Sequence, residues 1–109
     1  MDLKGMAEKL GFEEKDFLEL DQIFVNATRT DLDLLEQAVA QGDLKRLIEC
    51  AHSLKGAAGT LGIRSIQDMA KVLVDNARKN ILEGSTEAVA AIRKDVERLA
   101  ATIEKKDKL

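Results

Sequence analysis

The chain has 109 residues, of which 45% are hydrophobic and 34% are charged, a composition typical of one globular domain rather than a disordered segment. It contains no proline, tyrosine or tryptophan and only three phenylalanines, so a β-sandwich or β-barrel is disfavoured. The formal net charge of −3 argues against a general nucleic-acid binder, whose binding surface is basic.

The single cysteine excludes an intrachain disulfide, and one histidine with one cysteine cannot make a four-ligand structural zinc site. We therefore expect this chain to bind no metal and no cofactor. The sequence has neither an apolar stretch of roughly 18 residues nor a signal-peptide core at its start. These features predict a cytoplasmic protein that does not enter a membrane, with residues 1–109 forming one domain.

A short helix is predicted within the first dozen residues, a segment that contains Gly5 and Gly11, because Leu3, Met6 and Leu10 recur there at helical spacing. We expect this helix to cover one end of the domain.

A long helix is predicted next, although its apolar stripe is interrupted at Asp31. A shift of register carries the apolar face onward, so we expect one continuous helix. The first set of stripe residues is Phe17, Leu20, Phe24, Ala27, Leu34 and Ala38, and the second set is Thr28, Leu32, Leu35 and Val39.

Three more stripes with apolar residues three and four apart each predict an amphipathic helix. Their members are Leu44, Leu47, Ala51, Leu54, Ala58 and Leu61; Ile66, Met69, Ala70, Leu73, Ala77 and Ile81; and Val89, Ile92, Val96, Leu99 and Ile103. Glycines at 42, 62 and 84 are expected to end helices, with Asp43, Ser65 and Ser85 capping the next ones. Such short connections make neighbours antiparallel. The prediction is an all-α, antiparallel up-down-up-down four-helix bundle with a short N-terminal extra helix.

His52 is the remaining candidate for chemistry, because the sequence contains no P-loop, dinucleotide fingerprint or metal-binding histidine pair. It lies about 100° around its helix from Ala51, so we expect it beside the apolar stripe and partly toward solvent. Lys55, Gly56 and Gly59 follow on the same face. A neutral imidazole is a good nucleophile, and a lysine ammonium one turn away can neutralise an added phosphoryl group.

The two glycines need an explanation, since each costs about 1 kcal/mol relative to alanine inside a helix. One explanation is close packing of a neighbouring helix. The other is clearance, which would let a second protein bring a group up to the imidazole. Both stay open at the level of sequence.

The run from His52 to Gly56 (His-Ser-Leu-Lys-Gly), followed by two alanines and by Gly62 ten residues after the histidine, resembles the histidine-containing phosphotransfer (HPt) domain. The resemblance extends from the first long helix to the end of the chain. It implies that His52 takes a phosphoryl group on Nε2 from a receiver-domain aspartyl phosphate, or returns it. Lys55 would stabilise the charge, and Gly56 would leave room for the partner. It also implies that Mg²⁺ belongs to the receiver domain and that this chain is a phosphoryl carrier rather than a turnover enzyme.

One position departs from that family's pattern. Antiparallel pairing is expected to place Val74 and Asp75 opposite His52, and many family members carry Gln or Glu where this chain has Val74. Valine cannot accept a hydrogen bond, so either Asp75, a carbonyl or water orients Nδ1, or the imidazole is less fixed than usual. Cys50 is predicted to be a small buried thiol rather than a redox switch.

The resemblance implies that the partners are a response-regulator receiver domain, a hybrid histidine kinase or both, and we expect the chain to be a monomer. Docking residues are expected around His52 and on the next helix: Lys45, Ile48, Glu49, Gly59, Lys71, Asp75 and Arg78. The alternative is an interaction scaffold that docks a receiver-like or helical partner without phosphorylation. Both a free-standing phosphorelay protein and a segment of a histidine kinase fit the sequence.

Overall fold

The computed structural model describes residues 2–107, which form five α-helices and no strand. The helices are α1 (Leu3–Leu10), α2 (Glu14–Gln41), α3 (Leu44–Thr60), α4 (Arg64–Arg78) and α5 (Ser85–Asp107). Each of the four long helices packs against two of the others, which closes the bundle, with α2 against α3 and α5, and α4 against α3 and α5. The predicted up-down-up-down four-helix bundle with a short N-terminal helix is confirmed.

The core is built from the apolar stripes. The whole α5 stripe from Val89 to Ile103 is buried. In α2, the predicted shift of register past Asp31 is also confirmed, because Thr28, Leu32 and Leu35 are buried. The helix continues without a break from Glu14 to Gln41, since tertiary burial of this second set outweighs one polar residue in the stripe.

The turn between α2 and α3 follows the prediction. Gly42 adopts a left-handed φ of 66°, and the Asp43 carboxylate accepts a hydrogen bond from the Arg46 backbone N–H at 3.1 Å. This cap satisfies one of the free donors at the start of α3.

The predictions for the other two turns hold only in part. Gly62 follows α3 in the predicted left-handed conformation, with φ of 71°, but the capping residues differ. Ser65 lies inside α4, because Ile63 takes the N-cap position. At the end of α4, Asn80 rather than a glycine adopts the left-handed conformation, with φ of 63°, which asparagine tolerates better than most residues. Ile81 therefore lies outside the helix and is 41% exposed. Gly84 precedes α5, where its carbonyl accepts a hydrogen bond from the Ala88 N–H at 3.0 Å.

Helix α1 lies against α2 and is capped by Asp2, whose carboxylate accepts a hydrogen bond from the Gly5 N–H at 3.0 Å. Its last residue, Leu10, reaches the turn between α3 and α4. The Leu10 Cδ1 atom lies 3.7 Å from where a Cβ on Gly62 would stand. The short helix thus covers the end of the bundle that contains this turn.

Ion pairs join α2 to α5 along their exposed edges. Arg29 makes a bidentate contact with one carboxylate, and Arg93 bridges two. Exposed pairs of this kind add little stability each, but their order along the two helices requires the antiparallel direction. The pairs are Arg29–Glu97, Arg93–Asp33, Arg93–Glu36 and Lys106–Glu14.

The two glycines inside α3 have different surroundings. A Cβ built on Gly59 would lie 2.7 Å from Nε2 of Gln67, whose side chain crosses from α4. A Cβ built on Gly56 would meet nothing within 4 Å. Packing of the neighbouring helix therefore explains Gly59, and it does not explain Gly56.

Asp21 is an acid in the core. It is fully buried in α2, and neither carboxylate oxygen has a hydrogen-bond partner within the described chain. Removal from water penalises the charged form, which raises the pKa of Asp21 to about 7. The folded bundle therefore holds this carboxyl protonated under mildly acidic conditions.

Replacing Asp21 with asparagine should remove a pH-dependent destabilisation. Aspartate has an ordinary pKa of 3.8, whereas Asp21 in the folded protein has a pKa of about 7. Between these values the folded state keeps a proton that the unfolded state has released. The free energy of unfolding thus falls as pH rises, by about 1.4 kcal/mol per pH unit from this group. The stability of Asp21→Asn relative to wild type should rise across this window and stay constant below it.

Urea unfolding of both proteins from about pH 4 to about pH 8 measures this difference. The exposed Asp68 on α4 provides the control, because Asp68→Asn should keep the pH dependence of the wild type. Parallel curves for wild type and Asp21→Asn would show that Asp21 keeps an ordinary pKa in the fold.

Alanine substitutions should separate the two α3 glycines. Gly56→Ala should raise the free energy of unfolding by about 1 kcal/mol, because alanine favours the helix and its Cβ points into open space. Gly59→Ala should raise the free energy of unfolding by a smaller amount, because the Gln67 amide must move to make room for the new Cβ. In a Gln67→Ala background, Gly59→Ala should recover the full gain. Urea unfolding tests all of these variants, and a destabilised Gly56→Ala would show that Gly56 is a packing residue.

Candidate functional site

The direction of His52 follows from its neighbours on α3. Ala51 and Leu54 are buried, at 0% and 1% exposure, and they turn the intervening positions outward. His52 is exposed to solvent, as the spacing predicted. An exposed imidazole in the middle of a regular helix is accessible to a group that another protein brings to it.

The closeness of the Gln67 side chain to Gly59 shows the register of α3 against α4. Because these helices are antiparallel, His52, seven residues before Gly59, lies level with Val74, seven residues after Gln67. Val74 is fully buried and points into the core, while Asp75 is exposed. The structure thus places Val74 and Asp75 opposite His52, as the position of the α3–α4 turn predicted.

No residue in the described part of the chain makes a hydrogen bond or ion pair with the side chain of His52. Val74 has no polar atom in its side chain, and Asp75 makes no such contact with the ring. Neither ring nitrogen of His52 therefore has a hydrogen-bond partner within the described chain.

Lys55 and Gly56 occupy the next turn of α3 on the side of His52. Lys55 is half-buried, which places its aliphatic stem along the protein surface while the ammonium stays at the edge. Gly56 is exposed, and the space where its side chain would stand is open. The three residues form a nucleophile, a cation and a gap within about one helical turn. This arrangement can accept a phosphoryl group from a large donor.

The predicted docking residues lie around this site. Five of them are exposed, and two, Ile48 and Gly59, are half-buried. On α3, Lys45, Ile48 and Gly59 share the side of the helix that faces α4, because Gly59 on that side lies next to Gln67, whereas Glu49 is turned about 80° from Gly59 toward solvent. The exposed five are Lys45, Glu49, Lys71, Asp75 and Arg78.

Sequence reasoning missed Gln67, which is half-buried and covers Gly59. Its position seven residues before Val74 puts it on the stripe of α4 that faces α3. A glutamine on such a stripe, level with a glycine on the partner helix, is the signal that could have identified it. Gln67 and Gly59 lie toward α1, because they line one cavity together with Met6 and Leu10.

Cys50 is half-buried on the opposite side of α3, toward α2. Burial raises the pKa of its thiol, and the nearby charge of Asp31 raises it further. Both effects disfavour the reactive thiolate, which supports the prediction of a structural thiol. Burial also raises the pKa of Asp31.

Within residues 2–107, no group of three or more His, Cys, Asp or Glu side chains has the arrangement of a metal site. None of the helices there is both long enough and apolar enough to span a membrane.

Comparisons with known proteins agree with the resemblance carried by the His52 run. A family model described as the Hpt domain matches residues 19–102, which include all of α3 and α4. The chemotaxis protein CheA of Salmonella typhimurium is 29% identical over 76 residues, which are 67% of this chain and 11% of CheA. The chain thus spans about a tenth of the length of that relative. No solved structure matches. Because the family match covers well over half of the sequence, the chain belongs to the Hpt domain family, whose members carry phosphoryl groups in two-component signalling.

Proposed function

We propose that residues 1–109 act as one phosphorelay domain in which His52 accepts a phosphoryl group from a receiver-domain aspartate and donates it onward. The observation that carries this proposal is the exposed imidazole next to the open space at Gly56. A surface histidine without a function would not require a glycine one turn away, because glycine inside a helix costs about 1 kcal/mol of stability relative to alanine.

The transfer step needs only one nucleophile from this chain. The Nε2 lone pair of neutral His52 attacks the phosphorus of an aspartyl phosphate. A nitrogen–phosphorus bond forms as the acyl oxygen–phosphorus bond breaks, and the bonding electrons leave with the aspartate carboxylate. The reverse reaction returns the group to an aspartate. Phosphoryl transfer depends mainly on in-line positioning and charge stabilisation, which a partner supplies when it docks against the helix.

Lys55 supplies the positive charge on this side of the complex. Its half-buried stem limits how far the ammonium can move, and its position three residues after His52 puts it on the same face of α3. An ammonium there forms charge-assisted contacts to phosphoryl oxygens. Lys55 therefore stabilises the phosphohistidine and the transition state that leads to it.

The partners follow from the same chemistry. An aspartyl phosphate donor or acceptor is a response-regulator receiver domain or the receiver of a hybrid histidine kinase, with Mg²⁺ bound on the receiver. The chain is a phosphoryl carrier, a cytoplasmic protein and a monomer in this proposal. The docking surface is the α3–α4 face that contains Ile48 and Gly59 together with the five exposed docking residues.

His52→Gln should abolish labelling by phosphorylated receiver domains while leaving the fold intact. The side chain is exposed, and substitutions at such positions usually change stability by less than about 0.5 kcal/mol. The test incubates wild type and variant with receivers carrying labelled aspartyl phosphate, then treats the product with acid and base. Label that is acid-labile and base-stable on wild type alone supports the relay. Unlabelled wild type with every receiver from the same cell would favour a non-phosphorylated scaffold.

Gly56→Gln should slow transfer from a receiver without lowering thermal stability, because the new side chain enters open space beside His52. Ala57→Gln is the matched control, since Ala57 is also exposed but points about 100° away along the next position of the helix. Lys55→Ala should shorten the half-life of phosphohistidine while receiver binding persists. Transfer rates, binding and melting temperature are measured on all three variants. Equal transfer by the two glutamine variants would contradict clearance at Gly56.

A further inference from the structure

The charges of the chain are divided unevenly between the two halves of the bundle. Residues 43–79, which contain α3 and α4, have seven Lys and Arg against four Asp and Glu, a net of +3. The remaining residues have ten Lys and Arg against sixteen Asp and Glu, a net of −6. The half that contains His52 is therefore basic in an acidic protein.

The basic side chains of the two halves are also used differently. In the α2–α5 half, Arg29, Arg93, Arg98 and Lys106 form ion pairs with acids of the same chain. Across the described residues, no lysine or arginine of α3 or α4 forms one. The cations of the α3–α4 half are thus available to interact with anionic groups of another molecule.

Four of these cations lie along the groove between α3 and α4. On α3, Lys45 is two turns before His52 and Lys55 is one turn after it, all on the side of the helix that faces α4. On α4, the register shown by Gly59 and Gln67 places Lys71 level with Lys55. The same register places Arg78 one turn beyond the level of His52. We name these four residues, Lys45, Lys55, Lys71 and Arg78, the basic rim.

Acids are present on the same face, and they lie farther out. Glu49 on α3 and Asp68 and Asp75 on α4 are exposed, and helix geometry turns each of them away from the groove and toward solvent. They make no ion pair with the rim. The four cations of the rim therefore outnumber the three acids of this face.

We infer that the basic rim steers the anionic surface around a phosphorylated receiver aspartate onto His52, so that the rate of encounter depends on charge. This inference rests on the proposed function. Charge complementarity selects the partner: a surface that presents an aspartyl phosphate is anionic, and cations stand on both walls of the groove it must enter. The opposite face, formed by α2 and α5, offers no such attraction, because acids outnumber the seven Lys and Arg of these helices and four of the seven already form ion pairs within the described chain.

Steering of this kind acts on association rather than on the chemical step. A complementary field raises association rates by about 10-fold to 10³-fold. Salt screens it, because the Debye length is about 10 Å at 0.1 M ionic strength and about 3 Å at 1 M. The second-order rate of transfer should therefore fall steeply with salt, while the rate within the docked complex should not.

The experiment compares two double charge reversals. Lys71→Glu with Arg78→Glu changes the rim, and Lys15→Glu with Lys94→Glu places the same charge change on exposed sites of α2 and α5. Lys55 is left unchanged because it belongs to the transfer site. Receiver domains from the same organism are charged with acetyl phosphate and Mg²⁺, and the one that transfers fastest to wild type is used.

The rim variant should lose about 10-fold or more of the second-order rate at about 0.05 M salt, and the loss should disappear near 0.5 M. Its saturating rate should match wild type, and the control variant should follow wild type throughout. Equal losses in both double variants would show an effect of net charge alone, and a salt-independent rate in wild type would show that docking is not steered. Either result overturns the inference.

Chemical labelling keeps failure of the inference distinct from failure of the proposed function. Phosphoramidate, a small phosphodonor, should label His52 of wild type and rim variant equally, because it needs no docking surface. Absence of label on wild type would contradict the proposal that His52 accepts a phosphoryl group. Normal labelling with no transfer from any receiver would leave His52 as an acceptor and would overturn the receiver as the occupant of the rim.

Discussion

The packing of Ala51 and Leu54 into the bundle determines where every other side chain of α3 points. With these two residues buried, the helix must present His52 to solvent on the side near α4 and Cys50 toward α2. The same stripe that stabilises the fold by burying apolar surface therefore aims the nucleophile. A substitution that rotated α3 would move His52, Lys55 and Gly56 together, so the site and the core cannot vary independently.

Two glycines on one helix serve different purposes, and the structure separates them by what stands next to each. Gly59 accommodates the Gln67 side chain from α4, in the same register that brings Lys71 level with Lys55. Gly56 has nothing beside it, so its cost in helix propensity has no structural return inside this chain. A bundle whose stripes are mostly buried can tolerate such a local loss of stability next to the reactive residue.

Much of the fold was predictable because periodicity reports which residues are buried, and burial dominates the stability of helical bundles. The continuity of α2 past Asp31 and the exposure of His52 both came from that pattern. The errors occurred at helix ends, which depend on the local backbone conformation. The residue that turns the chain to the left-handed conformation after α4 is Asn80 rather than Gly84. Gln67 was missed because its contact with Gly59 depends on the register between two helices. Asp21 was missed because a buried acid without a partner contradicts the usual cost of burying charge, which protonation avoids.

The two halves of the bundle divide stability and recognition between them. Pairs such as Arg93 with Asp33 and Glu36 occupy cations within the α2–α5 half, and the residues outside 43–79 keep a net charge of −6, which repels an anionic partner. The α3–α4 half leaves its cations unpaired around an imidazole that no residue of the described chain holds by a hydrogen bond. A nucleophile without a hydrogen-bond partner depends on the incoming protein for its orientation, and Lys55 supplies only part of the charge stabilisation. Long-range attraction and open space are then the two contributions that this chain can make before contact, and α3 and α4 provide both.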